Sequence, residues 1–283
     1  MTTAAAPAGR RRGRGGASAV TLARKHVFAP AYLPGEEVEL VADDGVRLHA
    51  ARLAGPPDAK VTVVLVHGFA HSCRTPRIHS FAHLLAGSVN VVVPDLRGHG
   101  RSGGACSLGV EEPLDVAAAV AAAPPGVPVV TVGISLGGAA VLLHAGLYGG
   151  VAGVVAVSSP AWAGAWDTRS TRRVQWYATT RVGRTVLARV LQTRIADRCE
   201  AVPDARDLAA AIAPAFTLVV ADPADHYFSE EHPLSIYRWA NEPKDLWLLP
   251  GTGHGTELLR PSFASRLLAY VDERLSPSSG AAK

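Results

Sequence analysis

From residue 36 onward the chain carries two kinds of apolar pattern. "EEVELVA" (36–42) and "VRLHAARL" (46–53) alternate polar and apolar residues around the turn "ADDG". That is the pattern of a half-exposed antiparallel hairpin. Six later runs are continuously apolar: "VTVVLVHG" (61–68), "VNVVVPD" (89–95), "PVVTVGIS" (128–135), "VAGVVAVSS" (151–159), "FTLVVAD" (216–222) and "KDLWLLP" (244–250). Runs of this kind are expected of parallel strands covered on both faces. Helices fit between them over 76–86, 111–123, 136–147, 233–241 and 262–275. The order predicts an α/β protein with a mostly parallel, doubly wound sheet and a leading hairpin.

One interval breaks the rhythm. From Pro160 to about Pro214 there is no strand pattern, only helical stretches rich in Arg and aromatics, with three of the five Trp. An insertion there, after the sixth strand, predicts a helical cap over the carboxyl ends of the strands, where open α/β sheets bind ligands. The expected organisation is a basic, disordered tail (1–33), a core made of 34–160 and 214–276, a cap (161–213) and a flexible tail (277–283).

Composition adds bounds rather than direction. Hydrophobic residues are 48% and charged residues 18% of the 283, ordinary for a compact domain with a real core. No apolar run approaches the roughly 20 residues that span a bilayer. Three cysteines, Cys73, Cys106 and Cys199, have no paired spacing. They argue against a disulfide framework or zinc knuckle and point to a reducing cytoplasm. The net charge of +4 hides a split: residues 1–25 hold six basic residues and no acid, residues 161–200 hold eight Arg against three acids, and the remainder is acidic. The tail reads as solvated, with no nucleic-acid partner expected. The basic cap is a candidate for contact with an anionic substrate or membrane surface.

Chemistry enters at "GISLGG" (133–138), where an apolar strand runs into a helix without a spacer. Gly-x-Ser-x-Gly in that context predicts a nucleophile elbow, a strained strand-to-helix turn presenting the Ser135 hydroxyl above the sheet. Side chains two residues before and after the serine would collide there, so both places take glycine. Serine is a poor nucleophile without a base, and the base needs an orienting acid. Past the cap, one strand runs into "ADPADHYF" and the next into "GTGHG". His254 is the candidate base, and Asp225 leads Asp222 as the acid on loop position. The amides of Leu136, at the start of the helix, and of Phe69, in the turn after "VLVHGF", are candidate donors to an oxyanion. His67 is expected to brace that turn, and Cys73 to be a small inert neighbour of the pocket.

Together "HGF" (67–69), "DLRGHGRSGG" (95–104), "GISLGG", "DPAD" and "GTGHG" resemble the α/β-hydrolase family, most closely its lysophospholipase, monoglyceride-lipase and aminopeptidase-like branch. The resemblance covers 36–275 apart from the cap and implies the α/β-hydrolase fold. "GISLGG" departs from the commoner "GHSMGG" at Ile134 and Leu136, and Asp222 stands where the family usually has Gly. The implied function is a serine hydrolase using Ser135, His254 and Asp225 on a small-molecule carboxylic ester or thioester, with no metal or organic cofactor. The same triad also serves C–C-bond hydrolases, lyases and peptidases, and a dead scaffold could serve as a ligand-binding protein. In the cap, Trp162, Trp166, Trp176 and Tyr177 are candidates for an apolar acyl or aromatic pocket.

Overall fold

The computed structural model describes residues 35–166, 168–197 and 203–276. The basic tail, Asp167 and Cys199 therefore lie outside the described residues. All eight expected strands form, as β1 (Glu36–Val41), β2 (Arg47–Leu53), β3 (Thr62–Val66), β4 (Asn90–Pro94), β5 (Val129–Ile134), β6 (Gly153–Val157), β7 (Phe216–Ala221) and β8 (Lys244–Leu248). They make one sheet in the order β1-β2-β4-β3-β5-β6-β7-β8. β1 and β2 pair antiparallel, β2 pairs antiparallel with β4, and every other neighbour is parallel. The continuously apolar strands from β3 to β7 are buried on both faces because helices cover both, whereas β8, at the sheet edge, is only partly buried.

Alternate residues divide between two cores. On one face Val63 and Leu65 of β3, Val130 and Val132 of β5 and Leu218 of β7 meet α1 (Pro76–Ala86) through Phe81 and Leu85. Phe263 and Leu267 of α8 (Pro261–Leu275) complete that layer, with Phe81 and Phe263 stacked. The other face packs α2 (Glu112–Ala121), α3 (Leu136–Tyr148) and α7 (Glu231–Trp239) on Val64, Val66, Val154 and Ala156. Both α1 and α8 begin with proline, whose missing N–H costs nothing in a first turn. Helix α3 is buried from Leu136 to Ala145 and has no polar face, as a helix at the centre of a layer requires.

Between β6 and β7 stands the cap. Its helices α4 (Arg169–Thr179) and α5 (Arg181–Val190) are each N-capped by a threonine: Thr168 accepts from the Thr171 amide and Thr180 from the Gly183 amide. A short α6 (Ala205–Leu208) leads back to β7. Leu187 of α5 and Ile195 beyond it bury against Cys106 and Leu136, with Phe69 and Tyr177 alongside. The cap thus lies directly over the first residue of α3.

The segment "DLRGHGRSGG" is structural. Arg97 is wholly buried and its guanidinium reaches Asp115, Asp44 and Glu111, at 2.8, 2.7 and 2.6 Å. His99 sets its ring edge-on to both His67 and Phe69, supporting the turn that carries Phe69.

Two buried histidines make stability depend on pH. Burial pulls His144 of α3 down to about 4 and His99 down to about 3. Both are neutral in the folded chain, whereas the unfolded chain protonates them below about pH 6.5. Their contribution is therefore complete above pH 6.5 and is lost as pH falls toward 4 and 3. Between pH 6.5 and 5 the expected loss is about 2 kcal/mol for each histidine. Urea unfolding at pH 7.5 and 5.0 measures it, and His144→Gln should shrink the difference by about 2 kcal/mol. Equal midpoints at the two pH values would contradict the assignment.

Candidate active site

The turn at Ser135 is strained as the motif requires: φ is +54° and ψ −116°, a region that costs a non-glycine residue about 1–3 kcal/mol. The two flanking glycines serve different contacts. A Cβ on Gly133 would run into the Gly137 backbone, the expected collision within the elbow. A Cβ on Gly137 would lie 2.5 Å from the Val66 and His67 carbonyl oxygens. The second glycine is therefore set by the close approach of α3 to β3, not by a clash with the first.

Across the carboxyl edge of the sheet, loops after β7 and β8 bring two more groups to Ser135. His254 Nε2 is 3.2 Å from Ser135 Oγ, and His254 Nδ1 is 2.6 Å from Asp225 Oδ2. An ionised carboxylate only accepts, so Nδ1–H donates to Asp225 and the bare Nε2 faces the serine hydroxyl. The other Asp225 oxygen accepts from the amide of Tyr227 at 2.7 Å, which fixes the carboxylate's orientation. Asp225, with its side chain 2% exposed, and His254 are thus shielded from solvent together.

Asp222 has a different position. Its Oδ1 accepts from the amide of Ala224 and its Oδ2 from that of Gly253, clamping the acid loop to the histidine loop. Burial would raise this carboxyl, but the amides of Gly253, Ala224, Thr252 and Gly251 outweigh it and hold the pKa below the usual carboxylate value. The histidine loop has a second anchor that the sequence did not reveal. Ser158, at the end of β6 with φ +49°, accepts the Gly255 amide on its Oγ at 3.0 Å. Ile134, in the place of the commoner histidine, packs under Gly255.

Three rings surround the imidazole: Tyr227 at 4.2 Å between centroids, Phe228 at 5.6 Å and His226 at 6.1 Å. Tyr227 also joins the cap to the acid loop, because its carbonyl accepts the Thr168 hydroxyl at 3.1 Å. "HYF" after Asp225 was legible only as an aromatic run, with nothing in its spacing to show which way the rings turn.

On the opposite side of Ser135 lies the turn after β3. Gly68 is so close that a Cβ there would sit 3.2 Å from the Ser135 Cβ, which places the next residue, Phe69, beside the nucleophile. His67 braces this turn as expected. Its Nε2 accepts the Leu96 amide at 3.0 Å, so Nδ1 carries the proton and donates to the Gly68 carbonyl at 2.8 Å. Burial pulls the His67 pKa down, in keeping with a neutral ring.

The cap aromatics divide. Tyr177 packs in the small cluster with Leu136 and Phe69, next to the nucleophile. Trp162 instead stacks on His232 at 3.8 Å with Arg206 over its outer face, fastening the start of the cap to α7. Trp176 is 48% exposed and Trp166 is partly buried beside Gly164. Trp162 thus packs toward α7, while Trp176 faces largely outward with its ring edge-on to Tyr177. Cys73 does not border this site either. It is fully buried beyond the turn, where burial and the Asp95 charge push its thiol well up, leaving it protonated.

A sequence model of the alpha/beta hydrolase family matches residues 63–267. A search of curated proteins by sequence found no match. Among solved structures, the esterase Pf2001 of Pyrococcus furiosus superposes with a TM-score of 0.67 at 18% identity, over 88% of this chain and 96% of that one. The alpha/beta hydrolase GrgF of Penicillium sp. sh18 gives 0.67 at 17% identity over 87% and 100%. The esterase domain of a Rhodothermus marinus protein gives 0.57 at 19% over 84% and 98%. With the family model spanning most of the chain and the eight-stranded sheet carrying Ser135 at its elbow, the chain belongs to the α/β-hydrolase family.

Proposed function

We propose that the protein is a serine hydrolase that cleaves a carboxylic ester or thioester with an apolar acyl or aromatic part. The observation that carries the reading is the continuous relay from Asp225 through His254 to a strained, partly exposed Ser135. Ser135 Oγ attacks the carbonyl carbon as its proton passes to His254 Nε2, and Asp225 stabilises the imidazolium that forms. The oxyanion is held by the amides of Leu136 and Phe69, worth on the order of 100- to 1000-fold each in turnover. His254 then protonates the leaving alcohol or thiol, deprotonates a water for attack on the acyl-enzyme, and returns the proton to Ser135. Tyr177 and Phe69 line the apolar side of the acyl site. No described helix is long and apolar enough to cross a membrane, and Cys73 and Cys106 are unbridged thiols; both suit a cytoplasmic enzyme.

A fluorophosphonate tests the reading directly. Peptide mapping should place the label on Ser135 alone, and a label on any other serine would overturn the assignment.

Substrate charge is the second element of the proposal. Arg169, Arg172 and Arg173 are exposed on the first two turns of α4, and the charge of Arg173 reaches Tyr227 beside His254. A field of like charges raises the encounter rate with an anion and is screened over a Debye length of about 8 Å at physiological salt. The specificity constant for a negatively charged ester should therefore fall as ionic strength rises, while that for a matched neutral ester stays level. Replacing the three arginines with Gln should erase this difference. Equal salt profiles for the two esters would reduce the cluster to a solvated face.

A further inference from the structure

On the far side of the Phe69 turn, three side chains that the hydrolase chemistry does not use converge. His49 of β2, Cys73 in the loop after β3 and Asp95 just past β4 place one donor atom each within 4.8 Å of one another. His49 Nδ1 is 3.2 Å from Asp95 Oδ2 and 3.7 Å from Cys73 Sγ. A tetrahedral zinc ion, with nitrogen and oxygen ligands at about 2.0–2.2 Å and sulfur at about 2.3 Å, sets its donors roughly 3.3–3.6 Å apart. The two measured edges lie within about 0.1 Å of that range. Thiolate, imidazole and carboxylate together are also a donor set for a borderline-soft cation, not for magnesium or calcium.

The surroundings point the same way. His49 Nε2 is buried without a hydrogen bond, and the carboxylate of Glu37 stands 3.8 Å from it. The ring thus has Asp95 at one nitrogen and Glu37 at the other, while a neutral imidazole has only one N–H to offer. An ion on Nδ1 resolves this conflict by leaving the proton on Nε2 for Glu37, the carboxylate–histidine–metal arrangement that orients ligating imidazoles. Glu37 is half exposed and both its oxygens accept from Arg101 Nη1, at 2.9 and 2.8 Å, so closing the remaining distance of about 1 Å takes a turn of its side chain together with that of Arg101. A surface cavity of about 480 Å³, walled by Glu37, His49 and Arg101, opens onto the His49 ring.

We propose that His49 Nδ1, Cys73 Sγ and Asp95 Oδ2 form a binding site for one Zn²⁺, which staples β2, the loop after β3 and the end of β4. Binding releases the thiol proton to solvent and shifts the imidazole to the tautomer with its proton on Nε2, and water fills the fourth position. The ion is structural: it clamps the root of the loop that continues from Phe69 and touches no reacting atom. This site stands independently of the proposed hydrolysis.

Cobalt is the informative probe, because a thiolate ligand gives Co²⁺ an intense near-ultraviolet charge-transfer absorption that nitrogen and oxygen ligands do not. Titrating Co²⁺ into the reduced full-length protein should produce that band at one equivalent, and one equivalent of Zn²⁺ should abolish it. Cys73→Ser and His49→Gln should each remove the band. Cys106→Ser, Cys199→Ser and Ser135→Ala should keep it, which separates this site from the other thiols and from the triad. Glu37→Gln should keep the band but weaken binding about 10- to 100-fold. Ester turnover of Cys73→Ser should equal wild type without added metal. If Cys73→Ser fails to fold, His49→Gln decides alone. No band in the wild type, or one that survives either variant, would overturn the proposal.

Discussion

Ser135→Ala is expected to lower ester turnover by on the order of 10⁶-fold, the scale on which a nucleophile acting as a unit with its base is lost. The protein should remain folded, because alanine keeps the Cβ and gives up only the Ser135 Oγ contact with His254. His254→Ala should fall to a similar floor, and the double variant should fall little further. That non-additivity distinguishes a shared relay from two independent contributions. Residual catalysis would then come from the Leu136 and Phe69 amides and from binding alone. Steady-state kinetics on a chromogenic ester, with circular dichroism to verify folding, measures all three variants. Wild-type turnover in Ser135→Ala would end the serine mechanism.

Asp225→Asn should cost about 10⁴-fold in turnover, since an amide at this place holds the imidazole in the wrong tautomer and cannot stabilise the imidazolium. Asp222→Asn removes something else. Its carboxylate spans the amides of Ala224 and Gly253, and the asparagine side-chain oxygen can keep one of these bonds but not both. The expected result is a loss of a few-fold in turnover with a lower melting temperature, because the two loops lose a charge-assisted clamp. The pair separates positioning from chemistry: Asp225→Asn should leave stability nearly unchanged, while Asp222→Asn should cost turnover only a few-fold. The reverse ranking would transfer the acid role to Asp222.

Much of this was legible because each signal was local. Eight strands could be read since burial on one face gives alternation and burial on two gives continuous runs. The boundaries moved inward by one or two residues where the last residue of a run turns into a loop, as at Val157 before Ser158. Ser135 and His254 were legible because their loops carry glycine where the backbone takes positive φ or passes close to another strand, as at Gly253 and Gly137. Asp225 and Asp222 were harder to separate, being three residues apart on one loop; only the fold shows which carboxylate turns toward the imidazole. Ser158 was missed because a serine at a strand end has no signature until the strand beside it delivers Gly255. Trp162 and Trp176 looked alike as cap aromatics, but His232, 70 residues from Trp162, captures one of them and leaves the other at the surface. His49, Cys73 and Asp95 are spread over 46 residues and three elements, so no spacing could have announced them.

The bond from Thr168 to the Tyr227 carbonyl makes cap position and base orientation parts of one equilibrium. Tyr227 holds Asp225 through its amide and covers His254 with its ring, so a displacement of the first turn of α4 loosens both partners of the base. Such a link is reciprocal by thermodynamic necessity. A molecule that wedges the cap open weakens the relay it is trying to reach, and one that settles beneath a closed cap tightens it. On the proposed mechanism, selectivity would then be set in part before any bond is made, by whether an incoming molecule leaves the Thr168–Tyr227 bond intact.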